Sequence, residues 1–131
     1  MPTITDAITT PDGTCPVTLC TPDGPGPWPG IVMYPDAGGV RPAFGEMAAR
    51  LAALGYAVLL PDVYYRNGPW APFEMKGVFG DAAERNRLFA MMRAITPEVM
   101  ASDAQAFFDY LQARPEVAGQ RFGTTGYCMG G

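Results

Sequence analysis

Cys128 lies in the run Gly126-Tyr127-Cys128-Met129-Gly130-Gly131, a G-x-C-x-G pattern with glycine two residues before and two after a candidate nucleophile. That spacing suits a strand that turns sharply into a helix and lifts one reactive side chain above the sheet edge, where it can attack an acyl carbon. Glycine is needed on both sides because such a turn brings the flanking backbone close together. The reacting group here is a thiol. With an ordinary pKa of about 8.5 a thiol is only slightly ionised at neutral pH, so the chemistry needs a base or cation beside it. The sequence contains no histidine. A lone cysteine among glycines is also a common structural residue of loops, and the elements around it decide between the two readings.

Those elements form a recognisable order. Arg121 to Thr125, apolar and β-branched after a Pro/Gly-bearing loop, predicts the strand that leads into the turn. Upstream, Gly30-Ile31-Val32-Met33-Tyr34 reads as a buried strand. It is followed by Pro35-Asp36-Ala37-Gly38-Gly39, a loop able to lay backbone N–H groups beside a ligand. The spacing of Met47, Leu51 and Leu54 predicts a helix over 46–54 that stops at Gly55, and 56–60 is a second buried strand closed by Pro61-Asp62. Strand, helix and strand in about thirty residues make a parallel crossover unit.

Two further helices are expected before the turn. Asp81 and Glu84 have the spacing of a capping box ahead of Leu88, Met91, Met92 and Ile95, which share one face. Thr96-Pro97 starts the second, with Met100, Ala104, Phe107 and Leu111 as its apolar stripe. These Met and Phe residues read as core, and 67–80 reads as a long irregular loop whose Trp70 and Phe73 would rim a site. At the N-terminus, 3–9 and 14–20 flank Pro11-Asp12-Gly13 as an antiparallel hairpin, and 21–29 is a stiff connector. Cys15 and Cys20, five apart, fall on opposite faces of a strand and cannot chelate one metal together.

On the Pro35-Asp36 loop, Gly55-Tyr56-Ala57, Pro61-Asp62-Val63-Tyr64-Tyr65-Arg66 and the Gly126–Gly131 run, the chain resembles the N-terminal half of a dienelactone hydrolase family protein. The resemblance implies an α/β-hydrolase-type doubly wound, mostly parallel sheet with an N-terminal antiparallel pair, 1–131 being the first part of one domain. It implies a Cys-His-Asp triad that opens lactones or esters of small carboxylic acids with no metal or organic cofactor. Cys128 is then the acyl-accepting nucleophile, the backbone N–H groups of Ala37 and Met129 form the oxyanion hole, and Asp36 takes the position of a carboxylate that holds the resting thiol. Arg87, in Glu84-Arg85-Asn86-Arg87, corresponds to the region that binds a substrate carboxylate. By its residue type alone it is equally a solvated arginine on an amphipathic helix. Tyr64 and Arg66 read as structural contacts.

The family order places the acid and the histidine after the nucleophile. The expectation is therefore that the chain is truncated, incomplete at its C-terminal side and inactive alone, with self-association through an unpaired strand edge, while the whole protein is a monomer. A noncatalytic binding module on the same fold is the alternative, separated from the enzyme by whether the full reading frame carries that Asp and His. A net charge of −4 and a pI near 4.6 argue against nucleic acid as a partner. No apolar run reaches the roughly twenty residues of a membrane span, the start Met1-Pro2-Thr3 does not read as a signal peptide, and three cysteines fit a reducing compartment, so the expected location is cytoplasmic.

Overall fold

Alternation along the strands sorts the core into two layers. The computed structural model describes residues 2–131, in which β1 (Thr3–Thr10), β2 (Gly13–Cys20), β3 (Trp28–Tyr34), β4 (Ala57–Pro61) and β5 (Val117–Gly126) form one sheet of order β1-β2-β4-β3-β5. Side chains alternate between the faces of a strand. Val17, Leu19, Val32, Tyr34 and Leu59 therefore point to one side of the sheet, and Cys20, Met33, Val58 and Leu60 to the other. The first side is covered by Phe107 and Leu111 of α3 (Pro97–Ala113) and Leu88 and Met91 of α2 (Ala82–Arg93). The second is covered by Phe44, Ala48 and Ala52 of α1 (Pro42–Ala53). Helices on both faces of the sheet make it doubly wound, as expected.

The pairing follows the predicted units. β1 and β2 are antiparallel around Pro11-Asp12, with Thr10 opposite Gly13, and β2 runs antiparallel to β4. β3 is parallel to β4 on one side and to β5 on the other. β3 starts at Trp28, so the connector is shorter than its composition suggests, and β5 starts four residues before the predicted Arg121.

The helices show where periodicity misleads. α1 begins at Pro42, and its buried residues are Phe44, Ala48 and Ala52, whereas Met47 and Leu51 only flank the contact and Leu54 is 74% exposed. Two alanines on the inner face let the helix approach the sheet closely, a choice that ranking residues by size overlooks. Gly55, at φ 105°, does end the helix. Asp81 caps α2 by accepting from the Ala83 and Glu84 N–H groups, but the Glu84 side chain pairs with Arg87 and does not close the box. Thr96 caps α3 through the Val99 N–H.

α3 also buries a charge that the stripe did not include. Asp103, one turn before Phe107, has a side chain only 1% exposed. It accepts two hydrogen bonds from the Arg66 guanidinium, at 2.7 and 2.8 Å, and one from the Tyr65 hydroxyl at 2.8 Å. Tyr65 in turn shares a 2.6 Å hydrogen bond with Thr10, and Arg66 pairs with Asp12, so this network ties α3 to the turn of the hairpin.

Candidate active site

The turn after β5 has the geometry its glycines predict. Cys128 is exposed and sits at φ 55°, and it is the one non-glycine residue with a positive φ among the described residues. A residue with a β-carbon held there costs on the order of 1–3 kcal/mol, so the surroundings must impose it. They do so through close backbone packing. A β-carbon at Gly126 would coincide with the Gly130 carbonyl group, and one at Gly130 would lie 2.7 Å from the Tyr34 carbonyl oxygen. Hydrogen bonds from Gly130 N–H to the Tyr127 carbonyl (3.0 Å) and from Gly131 N–H to the Cys128 carbonyl (3.1 Å) close the turn. The Tyr127 ring rests on Phe44 of α1.

The loop after β3 lies beside this turn. Asp36 anchors it, accepting the Gly38 N–H at 2.9 Å and two hydrogen bonds from Arg41 at 2.6 and 2.9 Å, and its carbonyl receives the Gly39 N–H at 3.0 Å. The Arg41 hydrogen bond is the main cause that holds the Asp36 carboxyl below the usual carboxylate range. The expected contact between Asp36 and the thiol is not formed. Both carboxylate oxygens are engaged within the loop and at the start of α1, because a guanidinium five residues further on is the stronger partner for a short carboxylate.

Ala37 and Met129 are brought together by a side chain that the sequence marks only as structural. The Tyr64 hydroxyl donates to the Ala37 carbonyl at 2.7 Å, and the same oxygen lies 3.3 Å from the Met129 sulfur. Neither the Ala37 nor the Met129 N–H has a protein acceptor among the described residues. Tyr64 is 1% exposed, and burial first, then the charges of Asp36 and Cys128, push its phenol up to about 12. Its ring meets Trp70 edge to face at 5.6 Å. The Trp70 indole N–H donates to the Asp62 carboxylate, which also accepts the Tyr64 N–H at 3.0 Å. Burial raises the Asp62 carboxyl in spite of these bonds.

Arg87 is placed elsewhere. Its guanidinium bonds Glu84 at 2.7 Å and the Ala71 carbonyl at 2.9 Å, and stacks 3.8 Å above the Phe73 ring. It borders a groove with Trp70, Ala71 and Met91. The cavity beside the turn, of 360 Å³, is lined by Tyr34, Pro35, Val63, Ile95, Met100 and Met129 among others, and no charged side chain borders it. Phe73 is buried and Trp70 packs on Gly39, so both rings fasten the 67–80 loop down, and of the two only Trp70 also borders a groove. The family resemblance implied a carboxylate-binding arginine; the spacing Glu84/Arg87 at i, i+3 is the signal for a helix pair. Among the described residues no group of three His, Cys, Asp or Glu is placed to hold a metal.

A crossover unit β3-α1-β4 beside a hairpin, with β5 leading into a turn that holds a strained cysteine between two glycines, defines an α/β-hydrolase-type protein. Residues 15–131 match the family model described as the dienelactone hydrolase family, and the chain belongs to that family. The carboxymethylenebutenolidase of Pseudomonas sp. (strain P51) is 32% identical over 103 residues, covering 79% of this chain and 41% of that protein. The solved structure named m3DLH superposes with a TM-score of 0.71 at 28% identity, over 98% of this chain and 50% of its own. A dienelactone hydrolase-like promiscuous phosphotriesterase from metagenomic libraries gives 0.61 at 30% identity, again over 98% and 50%. The chain thus spans about two fifths of that curated relative and half of these solved structures.

Proposed function

We propose that this chain carries the nucleophile and oxyanion site of a hydrolase that cleaves a small lactone or carboxylic ester through a cysteine acyl-enzyme. The observation that carries the reading is Cys128 itself, exposed and held at positive φ by two glycines that tolerate no β-carbon. In the reaction the Cys128 thiolate forms a bond to the acyl carbon, and the carbonyl π pair moves onto oxygen. The Ala37 and Met129 N–H groups receive that charge, and preorganised donors of this kind commonly lower the barrier by several kcal/mol. Collapse breaks the bond to the alkoxide, which takes a proton, and leaves a thioester that water then opens. Family membership supports the lactone or ester class of substrate, and the relative named carboxymethylenebutenolidase supports it further.

Residues 1–131 hold no histidine, so in this reading they supply the attack and the charge stabilisation, while a histidine and its acidic partner supply the proton transfers of turnover. Arg87 acts as the clamp of the 67–80 loop. The test is acylation of the purified chain by p-nitrophenyl acetate, followed by peptide mapping. One acetyl group on Cys128, lost in Cys128→Ala, is expected. Acetylation confined to other residues would refute the assignment.

A further inference from the structure

We propose that Tyr64 is the positioning residue of the oxyanion site, its phenol fixing the Ala37 peptide and the Met129 side chain in the relation that aims their two N–H groups at one point. The proposal rests on the reading of Cys128 as nucleophile.

Three hydrogen bonds fix the two peptide planes that flank Ala37. The plane between Asp36 and Ala37 contains the Ala37 N–H, and its carbonyl is held by the Gly39 N–H at 3.0 Å. The plane between Ala37 and Gly38 is held at one end by the Gly38 N–H on Asp36, 2.9 Å, and at the other by Tyr64 on the Ala37 carbonyl, 2.7 Å. A trans peptide points its N–H opposite its C=O, so fixing the carbonyl fixes the donor. The first two bonds are internal to the loop and would survive if the whole loop tilted. The Tyr64 bond refers the loop to the end of β4, and the contact with the Met129 sulfur at 3.3 Å refers the nucleophile turn to the same oxygen. The phenol thereby joins segments 27 and 65 residues away in the chain.

The phenol is itself held rigidly. Trp70 stands edge to face against its ring, the Tyr64 N–H is tied to Asp62, and a β-carbon at Gly39 would sit 2.6 Å from the Trp70 ring and 3.2 Å from the Tyr64 ring. The loop therefore lies flat on both aromatics. A hydroxyl has one proton, and the carbonyl oxygen is a much stronger acceptor than a thioether, so the proton goes to Ala37 and the sulfur packs against the oxygen. With its pKa pushed up to about 12, the group stays a donor throughout the working range of a hydrolase.

Tyr64→Phe keeps the ring and removes only the hydroxyl, and two reagents separate positioning from general thiol reactivity. With p-nitrophenyl acetate, sulfur bonds to the acyl carbon through a tetrahedral oxyanion, and p-nitrophenolate leaves with the electron pair. With iodoacetamide, sulfur displaces iodide directly and no oxyanion forms. Losing one oxyanion donor outright costs about 10²–10³ in rate. Misaiming one is expected to slow acylation of Cys128 in Tyr64→Phe by about tenfold, with alkylation of the same thiol changed by less than about twofold and an unchanged circular dichroism spectrum. Equal slowing with both reagents, or no change with either, would overturn the positioning role while leaving the nucleophile in place. Absence of Cys128 acylation in the unaltered chain would overturn the proposal and the nucleophile reading together.

Discussion

Replacing Asp103 by alanine removes the acceptor of three hydrogen bonds from the interior of the molecule, two from Arg66 and one from Tyr65. Breaking a buried ion pair by deleting one partner costs about 3–5 kcal/mol, chiefly because the remaining charge is stranded. Here the stranding is incomplete. The Arg66 side chain is 19% exposed and retains Asp12, and Tyr65 retains Thr10, so the lower end, about 3 kcal/mol, is expected. With a urea dependence of about 1.5 kcal/mol per M for a domain of this size, the unfolding midpoint should fall by about 2 M. Replacing both partners together, Arg66→Met with Asp103→Leu, should recover most of that loss, since the double variant strands no charge. Urea titrations followed by tryptophan fluorescence read both values. A fall below about 0.5 M for Asp103→Ala, or a double variant no better than the single, would show that the network does not hold α3 to the hairpin.

Gly130→Ala should displace the turn that carries Cys128, because its new β-carbon meets the Tyr34 carbonyl oxygen, and acylation of Cys128 measured by mass spectrometry should drop more than about tenfold. Asp36 and Asp62 should give opposite pH dependences in thermal melts. Asp36 has a depressed folded pKa, so it contributes stability that is present above its ordinary value of 3.8 and lost as pH falls through the folded value; the advantage of the native chain over Asp36→Asn should shrink on acidification. Asp62 has a raised folded pKa, so its contribution is fully present below 3.8 and lost as pH rises through the folded value; the native chain should gain on Asp62→Asn on acidification. Arg87→Ala should release the 67–80 loop to limited proteolysis at a cost of about 1 kcal/mol, with acylation by acidic and neutral esters affected equally. A loss confined to acidic esters would return the arginine to substrate binding.

Local signals carried much of this fold. The hairpin was legible from Pro11-Asp12-Gly13, the crossover from two buried apolar runs with Gly55 between them, and the helix starts from Asp81 and Thr96, because caps and turns act over three or four residues. The same holds for Gly126 and Gly130, whose spacing together with the strand before them predicts the sharp turn at Cys128. What escaped depends on contacts between distant segments. The inner face of α1 is chosen by Ala48 and Ala52, which are inconspicuous in the sequence and matter only against a sheet. Asp103 falls outside the apolar stripe of its helix, and its partners Arg66 and Tyr65 lie far back in the chain, so nothing local marks its burial. The roles of Asp36 and Arg87 came from the family resemblance, while their bonds to Arg41, Glu84 and Ala71 depend on the path of the loops. Tyr64 was legible as an end-of-strand residue, and its contact with both Ala37 and Met129 was not.

The two cysteines that take no part in the proposed chemistry give the molecule a clock for each of its layers. Cys15 is fully buried on the α3 side, with its Sγ 3.4 Å from the Asp62 carbonyl and its pKa pushed up to about 12, and Cys20 is buried on the α1 side. An alkylating reagent reaches either thiol only during an opening of the layer above it, so its labelling rate, divided by that of an unfolded reference peptide, counts how often that layer opens. Matching rates at Cys15 and Cys20 would mean that the sheet loses both covers in one event. Faster labelling of Cys20 would mean that α1 lifts away by itself while the Asp103 network keeps the opposite layer shut.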